Sequence, residues 1–478
     1  MTTTAATVGL ARELAGFVGA EFVTEAAARV AEFAIDEVVP RTVISPASPQ
    51  QIAAVMKYAG ANDLVVVPAG GFTHQHTGSI PDTIDILLRT ERLKDVEHYD
   101  ADDMMIGVGA GTTLAEVEQI VGPHRQMLPL DAPQPERCTV GGALAAAAHG
   151  PLKHAYGGLR DYCTGVRFVT ADGKMAKAGA KVVKNVAGYD LMKLLIGSYG
   201  TIGIITGASF KLFPRPRQMR TFVAEFASMA EALVFRNRVM CSPLAPLCLE
   251  MVSPHAQVMM QESPKSGETR VGHPAPKPGE VRVGHSTGET RAGQSRIKDS
   301  QTWRVLVRAG GSDAVLARYR AELGSAVARE VDGEEDRELW RRVTEFPRVL
   351  FERSQNAMLV RVDVALQDVG PVLEATERAA IDNNFVCAAV GRIGVGALLV
   401  GLAPIAAEPP SAMQYVNAAS FLRGVAPRDG SAIVLRCPVE AKRHFSVWGS
   451  TPNDLETMKS IKHVFDSKNI LNRGRFLF

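Results

Sequence analysis

Apolar positions along the chain change period several times, and each change predicts a new element. Residues 1–35 carry Ala and Glu at helical spacing and predict a helical N-terminal lead. From Val38 to Gln75 the pattern reads strand, helix, strand. VVPRTVISP is extended, PASPQQIAAVMKYAGAN starts at Ser48-Pro49 and has an amphipathic body, and LVVVP is an apolar run ending at Pro68. Such a unit buries its helix on a small sheet through a right-handed crossover. From Ile84 onward, strand-like runs come at closer spacing: TIDILL, DVEHYDADDMMIGVGAG, CTGVRFVTADGKMAK and IGIITGASFKLFP. They predict a larger, mostly antiparallel sheet with intervening helices. The stretch before TIGIIT fits a helix with Asp190 as N-cap and Gly200 near its C-cap.

The proline-rich PRPRQ after Phe213 predicts a domain boundary. Beyond it, residues 218–450 alternate strand-like runs (WRVLVRAG, AMLVRVDVAL, GALLVGLAP, SAIVLRCPV) with helical ones (DAVLARYRAEL, VGPVLEATERAAIDN), which predicts an α+β second domain. One segment follows neither period. Residues 262–300 hold the degenerate repeats GETRVGH, GEVRVGH and GETRAGQ and almost no large apolar side chain. They cannot bury enough surface to offset their ordering entropy, so a disordered insertion is expected, cut first in native proteolysis. Metal binding by His273 and His285 within it is the less favoured reading.

Composition narrows the classes. A net charge of +2 gives no support for a nucleic-acid partner. The 6 cysteines are scattered without a C-x-x-C pair, so neither an iron–sulfur cluster nor a tetrahedral zinc site is indicated, and a reduced, cytoplasmic protein is the simplest expectation. The N-terminus lacks a basic start and a long apolar run and carries Glu13 and Glu21, unlike a secretory signal. No run approaches the roughly 20 apolar residues of a membrane span, so membrane association would come through partner subunits.

Chemistry concentrates in glycine turns. PAGGFTHQHTG follows directly on LVVVP; Gly70 and Gly71 let the backbone come close to a phosphate, and Thr73 adds a hydroxyl. A bland strand-to-loop turn would also carry Gly-Gly. TVGGALAAAAHG supplies a second cradle, in which Gly141 and Gly142 open a helix of small residues whose N-terminus could face a phosphate. Two such loops suit a dinucleotide pyrophosphate. GVGAGTT (107–113) lacks the third glycine of a Rossmann fingerprint and reads as a strand-to-helix turn. KNVAGYDLMKLLIGSYG places Lys184, Asn185, Tyr189, Asp190 and Lys193 around two glycines, as a polar loop or as a loop packed near an isoalloxazine or adenine.

The run from about Val38 to Pro216 resembles the PCMH-type FAD-binding domain of vanillyl-alcohol-oxidase-type flavoproteins. More narrowly, KNVAGYDLMKLLIGSYGTIGIIT…SFKLFPRP resembles the FAD-binding E-type subunit of bacterial glycolate oxidase, and IKHVFDSKNILNRGRF resembles that family's closing segment. The resemblance implies an α+β fold: a PCMH-type FAD-binding domain of two α/β lobes over residues 36–217, an α+β cap over 218–450, and residues 451–478 returning to the first domain. It implies that Pro68, Ala69, Gly70, Gly71, Phe72 and Thr73, with Thr139, Val140, Gly141 and Gly142, hold the FAD pyrophosphate. It also places Ala145, Ala146, Gly150, Gly203, Ile204 and Ile205 near flavin or adenine, and brings Asn472 and Arg475 toward the flavin. Covalently flavinylated relatives carry a histidine directly after Gly-Gly. Phe72 stands there, and His74 and His76 come later, so dissociable FAD is expected. Ser467 and Arg473 replace prolines of the family's closing segment.

The function implied is that of an FAD-binding subunit oxidising glycolate to glyoxylate, beside a D-type flavin subunit and an iron–sulfur subunit or a quinone. The histidine-rich cluster of the D-type subunit is missing, and no general base can be named; Lys184 and Arg475 are candidates for carboxylate or flavin contact. An autonomous 2-hydroxy-acid dehydrogenase and a non-catalytic electron-relay subunit remain open as alternatives. An enolpyruvyl reductase is disfavoured by KNVAGYDL.

Overall fold

The computed structural model describes residues 2–179, 190–261, 302–406, 408–426 and 430–477. Lys184, Asn185, Tyr189 and the repeat at 262–300 lie outside the described residues.

The chain folds as a mixed α/β protein built on three principal sheets. The first has four strands in the order Val23–Thr24, Thr42–Ile44, Ile86–Arg89, Val66–Ala69, the last three mutually parallel. The expected β-α-β unit lies here. Ser48 caps the helix Pro49–Ala61 by accepting the Gln51 N–H (3.2 Å), and Pro49 stands where no partner is needed for its missing donor. Ile52, Val55, Met56 and Ala59 face Ile44, Val66, Ile86 and Leu88 in one buried cluster. Each large side chain buried there contributes on the order of 1.5–3 kcal/mol. The run Ile86–Arg89, expected in the larger antiparallel sheet, instead completes this small one. Its apolar residues are covered on both faces, as parallel strands require, and alternation is therefore absent.

The other three runs form the five-stranded antiparallel sheet Val96–Asp100, Met105–Gly109, Ile204–Lys211, Cys163–Val169, Met175–Gly179. GVGAGTT is a strand-to-helix turn: Thr113 and Glu116 form a capping box at the start of Leu114–Val121. The helix expected from Asp190 shrinks to Met192–Leu195, and Gly197, Tyr199 and Gly200 all take positive φ in the turn that follows.

After Phe213–Pro214 pairs with Gln126–Met127, the chain enters an eight-stranded antiparallel sheet that includes Gln218–Phe226, Trp303–Gly311, Phe385–Arg392, Ala397–Pro404, Met358–Asp363 and Ser431–Arg436. Alternation splits its faces. Val360 and Val362 join one core with residues of the helices Val369–Asp382 and Ala412–Val425. Leu359 and Arg361, one step out of phase, face a cleft toward the first two sheets. The C-terminal segment then returns. Val66 N–H donates to the Ile470 carbonyl (2.8 Å) and Asn472 N–H to the Val66 carbonyl (2.9 Å), which covers the open edge of the four-stranded sheet.

Candidate functional site

Two clefts meet at the junction of the sheets. The first, of about 720 Å³, is floored by Pro68–Thr73 and walled by Gly141, Gly142, Ala145, Ala146, Gly203, Ile204 and Ile205. All sixteen residues that the resemblance placed at FAD fall here except Thr139, Val140 and Gly150. His74, Gln75, Thr77, Thr90, Tyr199, Gly200, Asn472 and Arg475 complete the lining.

The glycines act differently from the expectation. A Cβ on Gly70 would lie 2.1 Å from Thr139 Oγ1, and one on Gly71 would lie 1.6 Å from the Arg137 carbonyl oxygen. Their missing side chains let the two loops abut, and the space is taken by protein. The helix N-terminus at Val140–Ala145 is already satisfied: Val140 N–H donates to Thr112 O, Gly141 N–H to Ala110 O and Gly142 N–H to Thr139 Oγ1. The second cradle therefore offers no free helix-end donors. By contrast, the backbone N–H groups of Gly70, Gly71, Phe72, Thr73 and His74 donate to no other described residue. Phe72 sits at φ 63°. Successive unpaired N–H groups in such a turn make an anion-binding concavity, and they fit a pyrophosphate.

Buried charge fixes that loop. Asp36 accepts from Lys442 Nζ (2.8 Å) and Arg475 Nη1 (2.8 Å), all with side chains at most 2% exposed. Lys442 also donates to the His76 and Gly78 carbonyls, and Arg475 to those of Gln75, Thr77 and Ser79. Arg475 thus lines the cleft, but its terminal nitrogens are committed to the loop, which argues against a free carboxylate contact. Burial pushes the Asp36 carboxyl up, and His76, Lys442 and Arg475 outweigh it, leaving the group below its usual value.

The second cleft, of about 990 Å³, opens between the first domain and the eight-stranded sheet. It shares Thr73, His74, Thr77, Ala146 and Tyr199 with the first. Arg348, Arg361, Arg392 and Arg436 line it from the cap, and His76, Asp131 and His149 from the other side. Arg392 is 5% exposed; its nearest carboxylate, Glu250, lies 3.8 Å away. Burial pushes Glu250 up to about 8, with Arg392 opposing and Asp131 adding to the rise. Glu250 is therefore mostly neutral at pH 7, and the carboxylate charge that Arg392 meets there is chiefly that of Asp131. Asp131 is raised to about 6, again by burial first. His149 is held well below its ordinary value by burial and by Arg392, Lys153 and Arg361. Tyr199 is set at the junction by Trp448 (centroids 4.8 Å, edge-on), Phe476 (5.9 Å, stacked) and Asn472, whose Nδ2 donates to the Tyr199 carbonyl.

Unpaired N–H groups beside a strand end, in a cleft sealed by the returning C-terminal segment, fit a phosphate-bearing cofactor. Residues 40–179 match the FAD binding domain family and residues 441–476 the C-terminal domain of FAD linked oxidases, so the chain carries both domains and its cofactor is FAD. Relatives include D-lactate dehydrogenase of Archaeoglobus fulgidus (34% identical over 214 residues; 45% of this chain, 48% of that protein). Another is glycolate oxidase subunit GlcE of Escherichia coli (36% over 158; 32% and 45%). A third is D-2-hydroxyglutarate dehydrogenase of Xanthomonas citri (32% over 177; 37% and 38%). The chain spans about half the length of the curated relatives it matches. Among solved structures, 4-ethylphenol oxidase from Gulosibacter chungangensis superposes with TM-score 0.71 at 18% identity, covering 99% of this chain and 97% of that one. p-Cresol methylhydroxylase superposes at 0.72 and 13%, with the same coverage. These two show the shared fold.

Among the described residues no helix is long and apolar enough to cross a membrane, and no cluster of His, Cys, Asp or Glu could hold a metal ion.

Proposed function

We propose that the chain is an FAD-dependent oxidoreductase that oxidises the CH–OH group of a small 2-hydroxy acid. We further propose glycolate as substrate, glyoxylate as product, and a place beside a D-type flavin subunit and an iron–sulfur subunit. The observation that carries this reading is a buried Arg392, its nearest carboxylate 3.8 Å away, on a cleft that it shares with the Asp363-paired Arg361 and that is continuous with the first cleft. Guanidinium groups bind carboxylates through paired, charge-assisted hydrogen bonds, and the gain is larger where water is excluded. FAD when bound supplies an acceptor for a hydride. The protein's part is to seat the carboxylate on the arginines and hold Cα at the junction beside Tyr199. The names of the relatives, which act on D-lactate, glycolate and D-2-hydroxyglutarate, support the substrate class.

The pyrophosphate is assigned to the N–H groups of Gly70–His74, with Pro68, Ala69, Gly141, Gly142, Ala145, Ala146, Gly203, Ile204 and Ile205 around the rest of the cofactor. Phe72 has no nucleophilic atom and packs on Phe33 (centroids 5.7 Å), which supports dissociable FAD. An autonomous 2-hydroxy-acid dehydrogenase is the second reading, favoured by the chain's own arginine-lined cleft.

Purified holoprotein mixed anaerobically with glycolate, D-lactate, L-lactate or D-2-hydroxyglutarate tests both. Bleaching of the oxidised-flavin band by one acid supports oxidation by this chain alone. Bleaching only after a D-type subunit is added supports the complex, and no bleaching in either case defeats the reading. Acid precipitation of the same sample should release the yellow chromophore into the supernatant.

A further inference from the structure

A 2-hydroxy acid cannot lose hydride from Cα unless its hydroxyl proton also finds an acceptor. The two clefts meet at only five described residues: Thr73, His74, Thr77, Ala146 and Tyr199. A substrate carbon that must approach the cofactor while its carboxylate rests on Arg361 and Arg392 has to sit against this set. Threonine hydroxyls and an alanine cannot take a proton at neutral pH. The Tyr199 phenol is held protonated, its ionisation raised chiefly by burial. Only the imidazole of His74 is left at the junction.

We propose that His74 is the catalytic base that takes the substrate hydroxyl proton; the assignment rests on the 2-hydroxy-acid reading above. In the step, the O–H and Cα–H bonds break and the C=O bond forms. FAD, when bound, would supply the oxidant that takes the electron pair of the C–H bond, and His74 would become an imidazolium. The proton returns to solvent once product leaves.

The surroundings suit the role. Burial holds His74 near a value of about 4, so it is neutral and able to accept at pH 7. The loop N–H groups beside it are those assigned to the pyrophosphate, and the Thr77 N–H donates to the His74 carbonyl (3.0 Å), fixing the backbone that carries the ring. From the cap, Arg348, Arg361, Arg392 and Arg436 face the shared space, and from the first domain His76, Asp131, His149 and Arg475. Burial alone depresses His74, and the negative charge of a docked carboxylate nearby would favour the imidazolium, so binding would raise the basicity of the base. Asp36, 3.8 Å from His76 Nδ1, engages that ring instead. His149 lines only the second cleft, under the direct field of three cations.

The test pairs kinetics with binding. In FAD-loaded His74→Gln, anaerobic flavin reduction by the acid that reduces wild type should slow by roughly 10²–10⁴-fold. Its affinity for oxamate, a non-oxidisable carboxylate analogue, should stay near wild type. Calorimetry in buffers of different ionisation enthalpy near pH 5.5 should show proton uptake when oxamate binds wild type, and none in His74→Gln. Equal reduction rates, or wild-type proton uptake that survives in His74→Gln, would overturn the proposal. So would a comparable loss confined to His149→Gln. If His74→Gln fails to hold FAD, wild-type uptake and His74→Asn decide: no uptake, or an unimpaired His74→Asn, overturns it. A wild type that no 2-hydroxy acid reduces would sink the functional reading itself, whereas an unimpaired variant of a responsive wild type sinks only the base.

Discussion

Replacing Asp36 by Asn isolates the clamp that holds the cofactor loop. Asn keeps the size of Asp and tolerates its positive φ of 48°, so the backbone need not move. What is lost is the charge between Lys442 and Arg475, each 2.8 Å away with side chains 0% and 2% exposed. At an effective dielectric of about 20, each pair is worth about 6 kcal/mol of Coulomb energy. Desolvation offsets much of this, and Lys442 can shed its proton while Arg475 cannot; breaking buried pairs costs about 3–5 kcal/mol net. Urea denaturation of holoprotein and FAD titration by fluorescence quenching should therefore show destabilisation of that size, together with weaker FAD binding. Because the folded Asp36 carboxyl lies below its unfolded value of 3.8, its contribution is complete above about pH 4 and fades as pH falls further. Wild type and Asp36→Asn should accordingly converge in acid. A double variant with Arg475→Met should recover part of the loss, since no buried guanidinium is then left unpaired. Stability within about 1 kcal/mol of wild type at pH 7, with unchanged FAD affinity, would refute the reasoning.

Two further outcomes follow. Glu250 binds its proton up to about 8 in the folded protein but only to about 4.5 unfolded, so wild-type stability should fall as pH rises between those values, by up to about 5 kcal/mol. Glu250→Gln should flatten that part of a thermal-denaturation pH profile, and a slope identical to wild type would contradict the assignment. Gly71→Ala sets a methyl 1.6 Å from the Arg137 carbonyl oxygen and should cost about 1–3 kcal/mol, with weakened FAD retention on desalting; normal retention would show that the loops can part.

Local chemistry made much of the fold readable. Ser48-Pro49 marks a helix start by its capping geometry, and the apolar runs of the cap, set between helical stretches, become strands of one antiparallel sheet. What failed was the assignment of Ile86–Arg89, because a run buried on both faces carries no phase to say which sheet it joins. The Gly-Gly turns pointed to the loops that line the first cleft, but the reason for the glycines was not readable: loop-to-loop contact is a tertiary fact. His74 and Tyr199 stood inside quoted motifs without being assigned the site. Their significance depends on two clefts meeting, and the Arg361 and Arg392 that form the facing wall come from a different sheet. Arg475 was expected toward the flavin; the structure puts it in the lining of the first cleft and reveals that its donors are occupied. Glu250, a charged residue inside the apolar strand Cys248–Val252, was a signal of buried polar chemistry.

The clamp also has a temporal side. Asp36 and Arg475 are separated by 439 positions, and Lys442 follows Asp36 by 406. During synthesis, the four-stranded sheet and its glycine loop emerge long before the two cations that pin them. At translation rates of about 5–20 residues per second, the nascent loop waits on the order of twenty seconds or more with an unpaired aspartate and an uncovered strand edge. Pinning of the loop thus waits on residues 442 and 475, and a fragment lacking them would leave the buried Asp36 without its two cations.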